Sequence, residues 1–530
     1  MVLKKTLALV SAALLSVGLV SCSSSGSDTA GGGSGSANYV LANGSEPQNP
    51  LIPSNTNETG GGRIVQMIYS GLMYYDANGK AENDMAESVT LDGEKTYTIK
   101  LKPDQKFSDG TQVKAENFVK AWNRGMQDSN ISSSFFEPIL GYEEGKAEME
   151  GLKVVDDLTF TVELNQPESD FPLRLGYSAF YPLPDSAFDD MAAQGEMPVG
   201  NGPYKVQEWQ HNNFITLVPN ENYTGPRTVQ NDGLTITFYA TQDAAYADLL
   251  AGNLDVLDAV PDAAFGTFET ELEGRSVNQP AAIFQSFTIP ERLPHFSGEE
   301  GNLRRQALSM AIDRQLITDT IFQGTRTPAT DFTSPVIDGQ SDTVPGSEVL
   351  TYDPDKAKEL WAQADAISPW EGEFAIAYNA DGGHQGWVDA TANSIKNTLG
   401  IEAVGAPYPD FKSLRDLITN ETITTAFRTG WQADYPGLGN FLVPLYTTGA
   451  SSNDGKYSSA QFDDLMTQAA AAKTLEESIT VYNQGQEVLF KDLPAIPLWY
   501  SNVVGGYSAN VDNVTFGWDS QPLYYQITKG

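Results

Sequence analysis

The stretch LTITFYATQDAAYADLLAGNLDVLDAV, residues 234–260, decides the fold class. Apolar residues stand at every second position over residues 234–238, which is typical of a half-buried strand. Residues 243–250 have the pattern of a short helix that ends at a glycine, and residues 254–260 that of a second strand. This order predicts a βαβ crossover, and ligands of open α/β sheets bind beyond the carboxyl ends of the strands.

Strand and helix signals alternate along the rest of the chain. Strand spacing recurs at residues 97–101 and 158–164, and helical spacing at residues 115–122, 303–311 and 462–469. No period of 20 to 50 residues recurs, so a solenoid or propeller is disfavoured. We therefore predict an α/β protein of several domains, as its length also suggests.

The amino-terminal residues have the layout of an export signal. Lys4 and Lys5 precede an apolar stretch, residues 7–19, and small residues lead to Cys22, the only cysteine of the chain. This layout resembles a bacterial lipobox, which implies that residues 1–21 are a signal peptide and that Cys22 takes a lipid. The alternatives are an ordinary cleaved signal and a membrane-spanning helix, for which the stretch is shorter than the ~20 residues required.

A segment rich in glycine and serine, residues 22–37, follows the signal and is predicted to be a flexible tether.

Charge and residue types exclude several functions. The chain has 32 Lys and Arg against 69 Asp and Glu, a formal net charge of −37, so nucleic acid is a poor partner. Its three histidines are scattered, and no catalytic or nucleotide-binding motif is found. We expect no catalytic residues, no metal site and no cofactor. A glycosidase, which needs only two carboxylates, stays open as the enzymatic alternative.

Several segments resemble the extracellular solute-binding proteins of ABC importers, specifically the oligopeptide- and dipeptide-binding family, family 5. Their order and spacing over nearly the whole chain make the resemblance specific. The segments are NGSEP (43–47), FSDGT (107–111) with AENFV (115–119), VGNGPY (199–204), AGNLDV (251–256), LRRQALSMAIDR (303–314) and GWQADYP (430–436).

The resemblance implies a two-lobe, periplasmic-binding-protein-like α/β fold with a hinge (class II) and an extra domain inserted in the amino-terminal lobe. Two crossing strands would join the lobes, at residues 284–287 and 499–502, and would restrict the motion to a hinge closure. The implied domains are lobe I (38–75, 199–284 and 501–530), the inserted domain (76–198) and lobe II (285–500).

The resemblance also implies a site for peptides. Extended segments from both lobes, Asn57-Glu58-Thr59 and Gly430-Trp431-Gln432, would pair with the peptide backbone as added strands. Asp434 would neutralise the peptide ammonium, since an unpaired buried charge is costly. The alternative for Asp434 is a turn or helix cap before Pro436.

Two further side chains have open roles. Arg428 resembles a family arginine that meets the carboxylate of a short peptide, or else it pairs with surface acids. Trp431 either stacks on a ligand side chain or belongs to the core.

The function implied is a lipid-anchored receptor on the extracellular face of the cytoplasmic membrane of a Gram-positive bacterium. It would capture peptides between its lobes and deliver them to an ABC permease, with two membrane subunits and cytoplasmic ATPases as partners, and would act as a monomer. The runner-up is an oligosaccharide receptor of the same family. A sensor or adhesin stays possible beside import.

Overall fold

The computed structural model describes residues 38–530 apart from residues 57 and 451. The predicted signal peptide, the predicted lipidation site Cys22, the predicted tether and Asn57 therefore lie outside the described residues. Within the described part, no helix has both the length and the apolar character needed to cross a membrane.

The strands within the described residues are β1 (Val40–Gly44), β2 (Met73–Tyr75), β3 (Ala81–Asn83), β4 (Ala86–Asp92), β5 (Thr96–Leu101), β6 (Leu152–Asp156), β7 (Thr159–Glu163), β8 (Tyr204–Gln210), β9 (Phe214–Pro219), β10 (Leu234–Phe238), β11 (Val256–Leu257), β12 (Ser276–Thr288), β13 (Arg326–Pro328), β14 (Glu373–Asn379), β15 (Glu402–Tyr408), β16 (Ala426–Gln432), β17 (Ala495–Tyr507), β18 (Val511–Asp512) and β19 (Thr528–Lys529).

The α-helices within the described residues are α1 (Thr59–Ile68), α2 (Ala115–Gln127), α3 (Phe171–Arg174), α4 (Asp185–Asp189), α5 (Met191–Glu196), α6 (Gln242–Ala251), α7 (Phe268–Glu271), α8 (Gly298–Met310), α9 (Arg314–Thr320), α10 (Pro354–Ile367), α11 (Gln385–Leu399), α12 (Phe411–Thr419), α13 (Leu438–Tyr446), α14 (Ala460–Ala470) and α15 (Leu475–Asp492).

One long mixed sheet runs through the protein in the order β15-β14-β16-β12-β17-β11-β1-β10-β9-β8, with β13 paired to β17. We call the part with β1 and β8–β11 the first lobe, and the part with β14–β16 the second lobe. The strands β12 and β17, each of 13 residues, lie at the centre and belong to both.

The pairing of β12 with β17 is interrupted between the lobes. Residues 276–280 of β12 pair with β17, as do residues 284–288, but the register shifts between Pro280 and Phe284. There Ala282 donates its N–H to the carbonyl of Trp518 (2.8 Å), and its carbonyl accepts from the N–H of Ala433 (3.0 Å). The predicted crossing segments, 284–287 and 499–502, lie in these two strands. The domain boundaries placed there stay a prediction.

The βαβ unit differs from its prediction in one respect. Strand β10 and helix α6 form as expected, but β11 has only two residues instead of the seven predicted at 254–260. Its ladder with β1 is confined to Val256, and Asp258 instead forms an ion pair with Arg63 of helix α1. Strand β1 lies between β10 and β11 and is parallel to both.

A four-stranded antiparallel sheet, β4-β5-β7-β6, lies within the range predicted for the inserted domain. Helix α2 packs on it through Trp122, which is fully buried among aromatic rings and donates its indole N–H to the carbonyl of Phe180 (2.9 Å). The buried side chains of this segment are continuous with those of β1 and β10. The segment and the first lobe therefore share one core.

We predict that Trp122→Ala lowers the free energy of unfolding by about 3 to 5 kcal/mol, since removal of a fully buried indole leaves a cavity. Urea unfolding followed by circular dichroism measures this loss. Val155→Ala, whose side chain on β6 is 62% exposed, is the control and should change the same quantity by less than about 0.5 kcal/mol. A loss in Trp122→Ala as small as in the control would contradict the packing described.

Candidate functional site

Three adjoining cavities follow strand β16 and the turn after it. The first, which we call the Asp434 cavity, has a volume of about 240 Å³. It is lined by the start of helix α1, residues 176–178, residues 432–434 at the end of β16, and residues 518–521. Both lobes therefore contribute to its walls.

The second cavity, the long cavity, has a volume of about 790 Å³ and shares Tyr177 and Asp434 with the first. The third, the aromatic pocket, has a volume of about 230 Å³ and shares Trp431 and Ser452 with the second. Volumes of a few hundred Å³ and more are typical of small-ligand sites.

Asn440, in the first turn of helix α13, holds the Asp434 carboxyl in place. Its side-chain amide donates to Asp434 Oδ2 (3.1 Å), and its Oδ1 accepts from the backbone N–H of Asp434 (3.0 Å) and from the indole N–H of Trp431 (3.0 Å). The buried amide of Asn440 thus positions two of the predicted site residues, Trp431 and Asp434. Gly437, not Asp434, precedes helix α13 as its N-cap residue, so the helix-cap alternative is not observed.

The Asp434 carboxyl has no counter-charge in the described part of the chain, where it takes part in no ion pair. Burial raises its pKa to about 6, although the hydrogen bond from Asn440 opposes the shift. A cation bound next to it would stabilise the carboxylate and lower this pKa.

A second carboxyl, Asp519, lies in the wall of the same cavity and was not predicted from the sequence. Burial raises its pKa to about 6, opposed by the hydrogen bond from the N–H of Gln521 (3.1 Å). Arg63, on the same wall, is already paired with Asp258 and donates to Gln521 Oε1 (2.6 Å). The charge of Arg63 also opposes the rise in the pKa of Asp519, so of these two carboxyls only Asp434 has no cation acting on it among the described residues.

The predicted first-lobe segment is only in part extended. Glu58 has an extended backbone and is the N-cap of helix α1, where its carboxylate accepts from the N–H of Gly61 (2.9 Å). Thr59 is the first helical residue, so the expectation of an extended Thr59 is wrong: this cap starts the helix there. A Cβ at Gly60 would lie 2.6 Å from Ser45 Oγ, which accounts for a glycine in this turn.

The second-lobe segment is a strand, as predicted, and its outer edge is open. Strand β14 pairs with β16 only at Ala426 and Phe427, so in the described structure no strand covers residues 428–432 on that side. Gln432 lines the Asp434 cavity, Trp431 the long cavity and the aromatic pocket, and Gly430 the aromatic pocket.

Arg428 lies on β16 but lines none of the three cavities. Its Nε donates to Asn379 Oδ1 (2.9 Å), and its guanidinium lies 5.0 Å from the ring centre of Phe411. Direct contact with a ligand carboxylate stays a prediction for this residue.

A segment outside both central strands, residues 168–174, touches the second lobe beside the cavities. Tyr482 donates its hydroxyl to Asp170 Oδ2 (3.0 Å), and Arg174 lies 5.4 Å from the ring centre of Tyr435. Arg174 also pairs with Glu168 (2.9 Å), whose pKa burial raises despite this cation.

Known proteins are similar to this chain in sequence and in fold. Residues 80–453 match the family described as bacterial extracellular solute-binding proteins, family 5 Middle. The probable deoxycholate-binding periplasmic protein YgiS of Escherichia coli (strain K12) is 28% identical over 488 residues, 86% of either chain. The periplasmic oligopeptide-binding protein OppA of the same organism is 27% identical over 495 residues, 88% of this chain and 89% of OppA.

Among solved structures, the unliganded open form of the periplasmic murein tripeptide binding protein MppA has a TM-score of 0.78 at 21% identity, and covers 93% of this chain and 99% of that one. The fold is the two-lobe α/β fold of periplasmic binding proteins, as the resemblance implied. The family model spans well over half of the sequence, and the chain belongs to the bacterial extracellular solute-binding proteins of family 5.

Proposed function

We propose that this protein is a lipid-anchored extracellular receptor that captures peptides by their amino terminus between its two lobes and delivers them to an ABC import permease. The observation that carries the proposal is the Asp434 carboxyl, which lines a cavity between the lobes, is held in place by Asn440 and forms no ion pair within the described residues. A peptide ammonium supplies the missing positive charge.

The open edge of β16 supports the same ligand class. An extended peptide that lies beside residues 428–432 adds a strand to the sheet and binds through its backbone, whatever its side chains. Asp434 follows this edge by two residues. The ammonium and the first backbone groups of one peptide are thus recognised by neighbouring residues.

The names of the relatives favour peptides over the alternatives. OppA is named for oligopeptides and MppA for a murein tripeptide. YgiS is named for deoxycholate, an anion, which the unpaired Asp434 carboxyl of this chain would repel. An oligosaccharide has no ammonium and leaves Asp434 without a partner.

The remaining steps concern the membrane. Closure of the lobes on a peptide creates the surface that the permease recognises, because only the closed form brings both lobe faces together. Membrane-spanning permease subunits and cytoplasmic ATPases then move the peptide inward, and the lipid on Cys22 keeps the receptor, a monomer, near them.

We predict that Asp434→Asn weakens the binding of tri-alanine roughly 30-fold to several thousand-fold, the effect of about 2 to 5 kcal/mol for one lost partner of a buried charge pair. Isothermal titration calorimetry measures both affinities. Asp355→Asn, an exposed acid on helix α10, is the matched control and should leave the affinity unchanged.

Acetylated tri-alanine completes the cycle. The affinity of the wild-type protein for acetylated tri-alanine should be as low as the affinity of Asp434→Asn for tri-alanine with a free amine. Acetylation of the peptide should lower the affinity of Asp434→Asn by little more. Equal losses on acetylation in both proteins would show that the ammonium is bound elsewhere.

We predict that the affinity for peptides falls as the pH is lowered through the pKa of Asp434. The pKa of Asp434 is about 6 in the empty protein and falls when the ammonium binds. The affinity is therefore greatest near pH 7, where the carboxyl is ionised and the peptide amine, with a pKa of about 8, is protonated. It declines by up to about tenfold per pH unit below pH 6. Calorimetry at pH 6 in buffers of different ionisation enthalpy should detect release of roughly half a proton, and Asp434→Asn should abolish that release. Proton uptake would contradict the assignment.

Cys22→Ser should move the protein from the membrane fraction to the medium when it is expressed in a Gram-positive host, since a single lipid attachment is lost. Incorporation of a labelled fatty acid should disappear at the same time. Ser24→Ala, two residues further on, is the control and should remain labelled and membrane-bound. A Cys22→Ser protein that stays in the membrane fraction would refute lipid anchoring at this residue.

A further inference from the structure

The aromatic pocket opens onto the peptide edge of β16 but is separate from the contact proposed for the ammonium. Its walls include Phe411, Trp431 and Tyr457, together with Gly430 of the strand. Asp434 does not line it. The pocket is therefore a place for another part of the same ligand.

The aromatic rings that line this pocket are held in place by contacts within the protein. Arg428 packs on Phe411, the indole of Trp431 donates to Asn440, and the buried Tyr457 donates its hydroxyl to Asp492 Oδ2 (2.7 Å). Phe411 is 49% exposed. A ring that is already held in place gains free energy when an apolar group covers its exposed part.

The charged groups of the pocket compensate each other. Arg415 binds Asp454 through both terminal nitrogens (2.5 and 3.1 Å). The hydroxyls of Ser286 and Thr288 both bond to that of Thr429 (2.8 and 3.1 Å). A charged side chain would find no uncompensated opposite charge here and would lose its hydration.

The position of the pocket selects the part of the peptide that reaches it. Trp431 and Gly430 precede Asp434 by three and four residues, a span of at most roughly 10 to 13 Å at the rise of extended backbone. An added strand whose ammonium lies at Asp434 brings its third or fourth residue beside them at the same rise per residue.

We infer that the aromatic pocket binds an aromatic side chain from the third or fourth residue of the peptide and makes the receptor prefer such peptides. The inference rests on the proposed function. It assigns to Phe411 a direct contact with the ligand, and to Arg428 the positioning of the Phe411 ring in place of a carboxylate contact.

The test uses penta-alanine as the baseline and compares peptides with Phe, Glu or Lys at position three or four, and with Phe at position one, by calorimetry. Phe at position three or four should tighten binding about 10- to 100-fold, as expected for burial of one aromatic side chain. Glu, Lys and Phe at position one should give no such gain. Equal gains at every position, or a larger gain with Glu or Lys, would overturn the inference.

Two variants connect the gain to the pocket. Phe411→Ala removes a wall, and Leu445→Trp fills the space from another side. In each variant, the gain of a phenylalanine peptide over penta-alanine, with both affinities measured on that variant, should fall to about threefold or less. Ile367→Ala, an exposed apolar residue of the second lobe outside the pocket, is the control and should keep the full gain. A gain that survives both pocket variants would overturn the inference.

Arg428→Gln supplies a further readout, because a positioning role predicts that only phenylalanine peptides lose affinity. A carboxylate contact instead predicts an equal loss for penta-alanine, and that result would overturn the role given to Arg428. If penta-alanine itself does not bind to the wild-type protein, the proposed function fails. If it binds and Phe adds nothing, only the pocket assignment fails.

Discussion

The two backbone hydrogen bonds of Ala282 are the constraint on which the site depends. The N–H of this residue is bound by the segment that carries Asp519, and its carbonyl by the segment that carries Asp434. Both acidic segments are thus tied to the one place where β12 and β17 stop pairing. A bend at that place would change the relation between the two lobes, while the backbone hydrogen bonds of Ala282 would keep both acidic segments attached to it.

In the empty site, burial disfavours the ionised form of two carboxyls. Burial raises the pKa of both Asp434 and Asp519, and only for Asp519 does a cation, Arg63, oppose the rise. Part of the stabilisation that ionisation of Asp434 could provide is therefore missing in the absence of a positive group. Asn440 keeps the Asp434 carboxyl aimed and limits the shift. A positively charged ligand, as proposed above, would supply the missing stabilisation of the Asp434 carboxylate.

The spacing of apolar residues along the sequence predicted much of the fold, because it indicates which side of a strand or helix is buried. Strands β5, β7 and β10 and helices α2, α8 and α14 all lie where alternating or helical spacing indicated them. Strand β11 is shorter than its pattern, since Asp258 pairs with Arg63, a contact between residues far apart in the chain. Thr59 is helical because Glu58 caps α1 at that point.

From the sequence, residues of the candidate site could be predicted only within segments that resemble a family motif. The motif that contains Asp434 led to the central carboxyl, and Asn440 could have been suspected from its place in the next helix. Asp519 and the pair of Arg415 with Asp454 come from other parts of the chain, and no local pattern marks residues that meet only after folding.

The uncovered edge of β16 has a consequence for the behaviour of the empty receptor in a crowded setting. Unpaired strand edges accept any extended chain, including the strand of a neighbouring molecule, and are a common origin of aggregation. A formal charge of −37 makes copies of this protein repel one another at a distance. The acidic surface thereby opposes edge-to-edge association of two copies of the protein and leaves the edge accessible to a small extended ligand, as proposed above.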